Sequence, residues 1–186
     1  MVGIFTIIGF MKMNKIKFFL KKEQIVKDKT IISKAESYLE KARYNLETLG
    51  ILDKTNDKKI KDKLKISTEY DPSEWVVICG YYAMYSAALG LIAKVGFRSK
   101  NHLATMTVLE EYFVKKKHLD EEDLLLIKNA VFQKQELEKL SDAKYKREIA
   151  QYSITKKTTK EIAEKIKKDA YSFVNRFYNI CSSISC

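Results

Sequence analysis

The stretch Arg98-Ser99-Lys100-Asn101-His102 holds the residue types of this chain best suited to chemistry. A guanidinium and an ammonium stand within four residues of an imidazole. If Ser99 or Asn101 caps the helix that follows, His102 falls in its first turn, where backbone N–H groups and the positive end of the helix dipole attract anions. The same field disfavours protonation of His102 and leaves a neutral imidazole able to act as a base. Such a set suits phosphate recognition by Arg98, Ser99, Lys100 and Asn101, with proton transfer at His102. The spacing fits equally a solvent-exposed capping turn in which His102 only hydrogen-bonds the backbone.

A second basic group, Lys144, Arg147 and Gln151, shares one face of a helix by i, i+3 and i+7 spacing. Tyr152 stands beside it, on a stripe with Tyr145 and Ile149 that also suits core packing. Lys144, Arg147 and Tyr152 are therefore further candidates for contact with RNA or a nucleotide. Other chemistries lack their residues: there is no Gly-rich phosphate loop, serine elbow, pair of catalytic acids or HExxH. Cys79, Cys181 and Cys186 form no CxxC pair, and His102 and His118 are the two histidines. Neither a metal site, a cofactor site nor a disulfide framework is expected, and the thiols suit a reducing cytoplasm.

The element that must position the turn is the segment from Trp75 to Ala93, without a formal charge in a chain where 32% of residues carry one. Asp71-Pro72-Ser73-Glu74 reads as its helix start, and Gly96 as a left-handed residue just past its end. Its length and apolarity fit a membrane span. Tyr81, Tyr82 and Tyr85 sit mid-segment rather than at the ends, which favours the central helix of a soluble bundle. Small residues at 80, 83, 86, 87, 88 and 90 let neighbouring helices approach, and the tyrosine hydroxyls need partners once buried.

Around it the periodicity predicts helices over about 22–49, with Ala35, Tyr38, Leu39, Ala42, Leu46 and Leu49 inward, and from 102 to about 114, burying Leu103, Met106, Leu109 and Phe113. A fourth is predicted from an Asp120 cap to about Tyr152, burying Leu124, Ile127, Val131 and Leu137. A last one follows a Thr158-Thr159-Lys160-Glu161 capping box and carries Ile162, Ile166, Ala170, Phe173, Phe177 and Ile180. Residues 53–68 read as a polar connection. The predicted class is all-α, an antiparallel up-and-down bundle of about five helices, with one domain over 22–181, an arm over 1–21 and a tail over 182–186.

The net charge of +11 favours an anionic partner. Of the 35 basic residues only Arg43, Arg98, Arg147 and Arg176 are arginines, the type suited to planar, bidentate anion contacts. Arg43 has a plain explanation, because Glu40 and Glu47 flank it at helical spacing. Met1–Phe10 is apolar but too short to span a bilayer and lacks the flanks of a signal peptide; Met11 and Met13 offer alternative starts. The lysines between 12 and 29 read as a solvated arm, or as an arm that contacts phosphates.

Tyr81-Tyr82-Ala83-Met84-Tyr85-Ser86-Ala87-Ala88, followed by Gly96-Phe97-Arg98-Ser99-Lys100-Asn101-His102, resembles the HEPN domain (higher eukaryotes and prokaryotes nucleotide-binding). The resemblance runs from Ala35–Ala42 through Arg147–Tyr152 to the last helix and is closest to small stand-alone members. It implies a helical bundle, often homodimeric, and a role as the toxin-like partner of a minimal nucleotidyltransferase antitoxin. It further implies metal-independent RNA cleavage, with Arg98 stabilising phosphorane charge and His102 shuttling the proton. Active members place more residues between that Arg and His than the three found here, a departure that touches the nuclease step rather than the fold. The alternative is a non-catalytic subunit that binds nucleotide or RNA and scaffolds a nucleotidyltransferase.

Overall fold

The computed structural model describes residues 15–146 and 152–184, with side chains for 15–135 and 160–184. Its elements in chain order are α1 (Lys15–Lys21), β1 (Ile25–Lys27), a 3₁₀ turn (Lys29–Lys34), α2 (Ala35–Lys54), α3 (Lys58–Leu64), α4 (Ser73–Lys94), β2 (Phe97–Ser99), α5 (His102–Leu109), a widened π turn (Glu110–Val114), α6 (Glu121–Lys146) and α7 (Tyr152–Ser183). The class is all-α, a helical bundle.

The uncharged segment becomes α4, and α2, α5, α6 and α7 all pack against it. It is long and apolar enough to cross a membrane, yet 72% of its most apolar window is buried inside the protein. Its start is the one anticipated, with the Ser73 N–H donating to Asp71 Oδ1. Its small residues set the packing distance. A Cβ on Gly80 would lie 2.4 Å from Ile166 Cγ2 of α7 and 3.4 Å from Leu49 Cδ1 of α2, and one on Gly90 would lie 3.1 Å from the Ala35 carbonyl. Gly90 meets the start of α2 and Gly80 its end, so the two helices run antiparallel. Cross-links between α2 and α7 follow the same alternation: Lys167 bonds Asp53, Tyr171 donates to the Leu46 carbonyl, and the Arg43 guanidinium lies 3.8 Å from the Tyr178 ring centre. Arg43 thus stacks on α7, a different role from the intrahelical pairing expected.

After α4, Gly96 turns the chain at φ +74 with its N–H on the Ala93 carbonyl. A side chain is strained at that angle, which is why glycine ends this helix. The chain enters β2, which pairs antiparallel with β1 in the register Ile25↔Ser99, Val26↔Arg98 and Lys27↔Phe97. This ladder was not foreseen, since three-residue strands carry too little alternation to register as a pattern.

Other departures have local causes. The predicted first helix over 22–49 begins instead at Ala35 and continues through Gly50 to Lys54. The described part of the N-terminal arm forms α1 and buries Ile16 and Phe19, so its lysines flank a packed stripe. Within 53–68, Asp57 caps α3 by accepting from the Lys59 and Ile60 N–H groups, while buried Lys61 donates to the Thr68 and Tyr70 carbonyls. That helix rests on a cap and a buried ammonium, not on apolar periodicity.

In α5 the inward residues are Ala104, Thr105, Thr107, Val108 and Leu109, while Leu103 is 60% exposed. The π turn then brings Phe113 back to the core. Along α6, Ile127 and Ala130 are buried, and Leu124 and Val131 are partly so; Leu137 lies outside the described side chains. α7 already runs from Tyr152, so Thr158 stands inside it and does not cap it; no Gly or Pro interrupts 152–183.

Gly80→Ala is expected to destabilise the fold by about 1–3 kcal/mol, because the new methyl has no room against a branched, buried Ile166. In urea denaturation the added Ile166→Ala should cost less in that background than in the wild type. Equal midpoints for wild type and Gly80→Ala would disprove the close approach.

Candidate functional site

The α4–α5 connection is held at several points. Asn101 is the N-cap of α5: its Oδ1 accepts the Ala104 N–H at 2.8 Å, and its carbonyl accepts both the N–H and the hydroxyl of Thr105. The Ser99 and Thr105 hydroxyls are hydrogen-bonded at 2.6 Å, and Tyr85 Oη reaches the same Thr105 oxygen at 3.3 Å. The Lys100 N–H donates to the Gln24 carbonyl, which extends the ladder by one bond and leaves the Lys100 side chain exposed. Ser99 and Asn101 are thereby occupied in building the turn. As expected, His102 opens the helix.

The His102 ring lies against α4. Its Nε2 is hydrogen-bonded to Tyr81 Oη at 2.7 Å. It stacks on Tyr85 with centres 4.5 Å apart and planes 18° apart, and lies 9° from parallel with Tyr81 at 5.7 Å. Tyr81 and Tyr85 are one helical turn apart on α4, so they face the same neighbour. Above them, the Lys134 ammonium of α6 lies 5.2 Å from the Tyr81 ring centre and 5.8 Å from that of Tyr82. Burial pushes the His102 pKa below its ordinary 6.5, and the positive charge of Lys134 lowers it further. The neutral imidazole foreseen from the sequence is present. Burial is the larger cause and the charge of Lys134 on α6 the second, neither of which the sequence indicated.

Arg98 takes a different partner. On β2 its side chain is 56% exposed, and Nη2 lies 3.8 Å from Asp28 Oδ2. Asp28 is engaged more closely by Thr30, through both its hydroxyl and its N–H, and these bonds together with Arg98 hold its carboxyl below the usual range. An exposed pair at that distance contributes little stability and leaves the guanidinium available to a phosphate. Arg98 and His102 thus share a turn but are tied to different elements. Arg176 is committed elsewhere, bonding Asp120 at 2.7 Å and Asp123 at 3.3 Å, so it clasps α7 to the start of α6.

The second cluster lies outside the described side chains. Lys144 lies on α6 and Tyr152 opens α7, with neither side chain described, and Arg147 and Gln151 lie outside the described residues. Lys134 is the residue that sequence reasoning missed. Its signal was its position, seven residues after Ile127 and four after Ala130, where the inward stripe of α6 calls for an apolar side chain. Neither a protein-family model nor a curated protein matches this chain.

The depressed pKa makes the stability depend on pH. The unfolded chain takes up the His102 proton at a higher pH than the folded one. The stabilisation is therefore complete above pH 6.5 and declines below it, down to the folded-state value. His102→Gln should flatten the fall in urea midpoint between about pH 7.5 and 5.5, whereas parallel curves for variant and wild type would assign the fall to other groups.

Proposed function

We propose that the protein is a HEPN-type binder of RNA or nucleotide, the toxin-like half of a module with a nucleotidyltransferase antitoxin, and that it cleaves RNA without a metal. The observation that supports this best is the neutral imidazole of His102, oriented by Tyr81 at 2.7 Å on a turn that also carries Arg98 and Lys100. A neutral imidazole can take the proton of a 2′-hydroxyl as it attacks the adjacent phosphorus. A cation beside it offsets the charge gathering on the phosphorane oxygens. The net charge of +11 draws a polyanion to the surface.

A second reading, a non-catalytic subunit that binds nucleotide or RNA and scaffolds a nucleotidyltransferase, draws support from Arg98 being paired with Asp28 rather than with anything beside His102. Cleavage of RNA in EDTA by the purified protein separates the two. On the catalytic reading His102→Ala lowers the rate by about 10²- to 10⁴-fold with little loss of binding, and Arg98→Ala harms both. On the binding reading there is no cleavage to lose, while Arg98→Ala and Lys100→Ala each weaken binding and flatten its salt dependence. Equal activity and affinity in all three variants would discard both.

A homodimer belongs to the same proposal. Trp75, Leu125 and Phe132 are large apolar side chains, each at least 52% exposed, and apolar surface of this kind favours self-association. Light scattering at tens of micromolar should give twice the mass of one chain; the mass of a single chain would refute the dimer.

A further inference from the structure

Beyond the Arg98–His102 turn, a second cation reaches the imidazole from a different helix. We propose that Lys134 of α6 is the residue that binds the phosphate at His102, so that the anion site lies between α4 and α6 with the ring of Tyr82 as its floor. This rests on the reading of the protein as a binder of RNA or nucleotide and assigns the group that grips the anion.

The geometry is contiguous. The Lys134 ammonium lies over Tyr81, and the Tyr81 hydroxyl is bonded to His102 Nε2. Tyr81 of α4 therefore touches both the cation of α6 and the imidazole of α5. Tyr82 is 42% exposed, with Lys134 over its face, and Leu103 beside His102 is 60% exposed. A half-exposed aromatic ring next to a cation is the arrangement that lets a base stack while its phosphate is held.

The electrostatics agree. Lys134 sits close enough to His102 for its charge to be felt there. The other groups against the ring are Tyr81, through its hydroxyl, and Tyr85, through its face, and Lys134 is the charge among the described residues that shifts it. A phosphate held by Lys134 beside the half-exposed Tyr82 ring brings negative charge near the imidazole, and Arg98, left available by its exposed pair with Asp28, is the competing cation. Binding and protonation must then be linked: the anion raises the His102 pKa, and affinity rises as pH falls through that pKa.

His102 and exposed His118 are the chain's two histidines, so NMR of the imidazole C–H signals reads the site with an internal control. The probes are inorganic phosphate and a 2′-O-methyl oligoadenylate, which cannot be cleaved by 2′-OH attack. In the wild type both should shift His102 and raise its pKa while leaving His118 unmoved, the oligonucleotide binding more tightly. In the free protein Lys134→Gln should raise the His102 pKa. It should also weaken oligonucleotide binding by about tenfold or more, the order of one lost charge-assisted hydrogen bond, and Lys134→Arg should restore binding. If Lys134→Gln binds as the wild type does while Arg98→Gln does not, the assignment to Lys134 is overturned and the RNA-binding reading stands. If Lys134→Arg binds no better than Lys134→Gln, the side chain acts through packing and the proposal falls. No binding of the oligonucleotide by the wild type overturns proposal and reading together.

Discussion

Close packing around Gly80 governs much of this structure. α4 is apolar on nearly every side, so it gains stability only if other helices cover it all round. With no side chain at 80, Ile166 of α7 and Leu49 of α2 meet at its backbone. Successive residues of an α-helix are about 100° apart, so fixing Gly80 toward α2 and α7 turns Tyr81 toward a different neighbour. Tyr85 follows Tyr81 on the same stripe. The tight side of the helix thereby determines where its polar side faces, and that polar side receives His102.

The same tyrosines decide how the apolar segment is used. A phenol buried without a partner is costly. Here Tyr81 is bonded to His102 and Tyr85 to Thr105, both supplied by α5. A lipid-facing helix would have no such partners for hydroxyls at mid-length. Burial of α4 and the polar contacts of α5 are therefore two parts of one solution: α5 completes the cover of α4 and satisfies its hydroxyls.

Elements with long apolar stripes were legible in the sequence. The buried face of α2 at Ala35, Leu39, Ala42, Leu46 and Leu49 and that of α7 at Ile166, Ala170, Phe173 and Phe177 fall where the spacing puts them. Gly96 and Asn101 were readable as punctuation, because each has one backbone job that few residues perform. The illegible parts depend on partners distant in the chain. The β1–β2 ladder joins segments some seventy residues apart and carries no periodicity of its own. The π turn at Glu110–Val114 changes register without a Gly or Pro to mark it. Leu103 looked inward by its spacing from Leu109 and Phe113, but α5 docks through Ala104, Thr105 and Val108. At the site, the turn was readable as a unit. The partition of its cations was not, since Asp28 claims Arg98 and Lys134 arrives from α6.

The choice of a phenol as the partner of His102 has consequences for any proton transfer there. A carboxylate at that position would favour the imidazolium and raise its pKa, holding the ring charged. A backbone carbonyl can only accept, so it would fix Nε2 as a donor in every state. A hydroxyl can donate or accept. With Nε2 unprotonated, Tyr81 donates to it; with Nε2 protonated, Tyr81 accepts from it. The 2.7 Å contact can therefore persist through a change of protonation state without the ring being re-aimed. Burial and Lys134 then set the resting state as neutral, the form that accepts a proton. On the proposed reading, the negative charge of a bound phosphate stabilises the imidazolium. The substrate itself would then supply the field that lets His102 hold the proton it has taken.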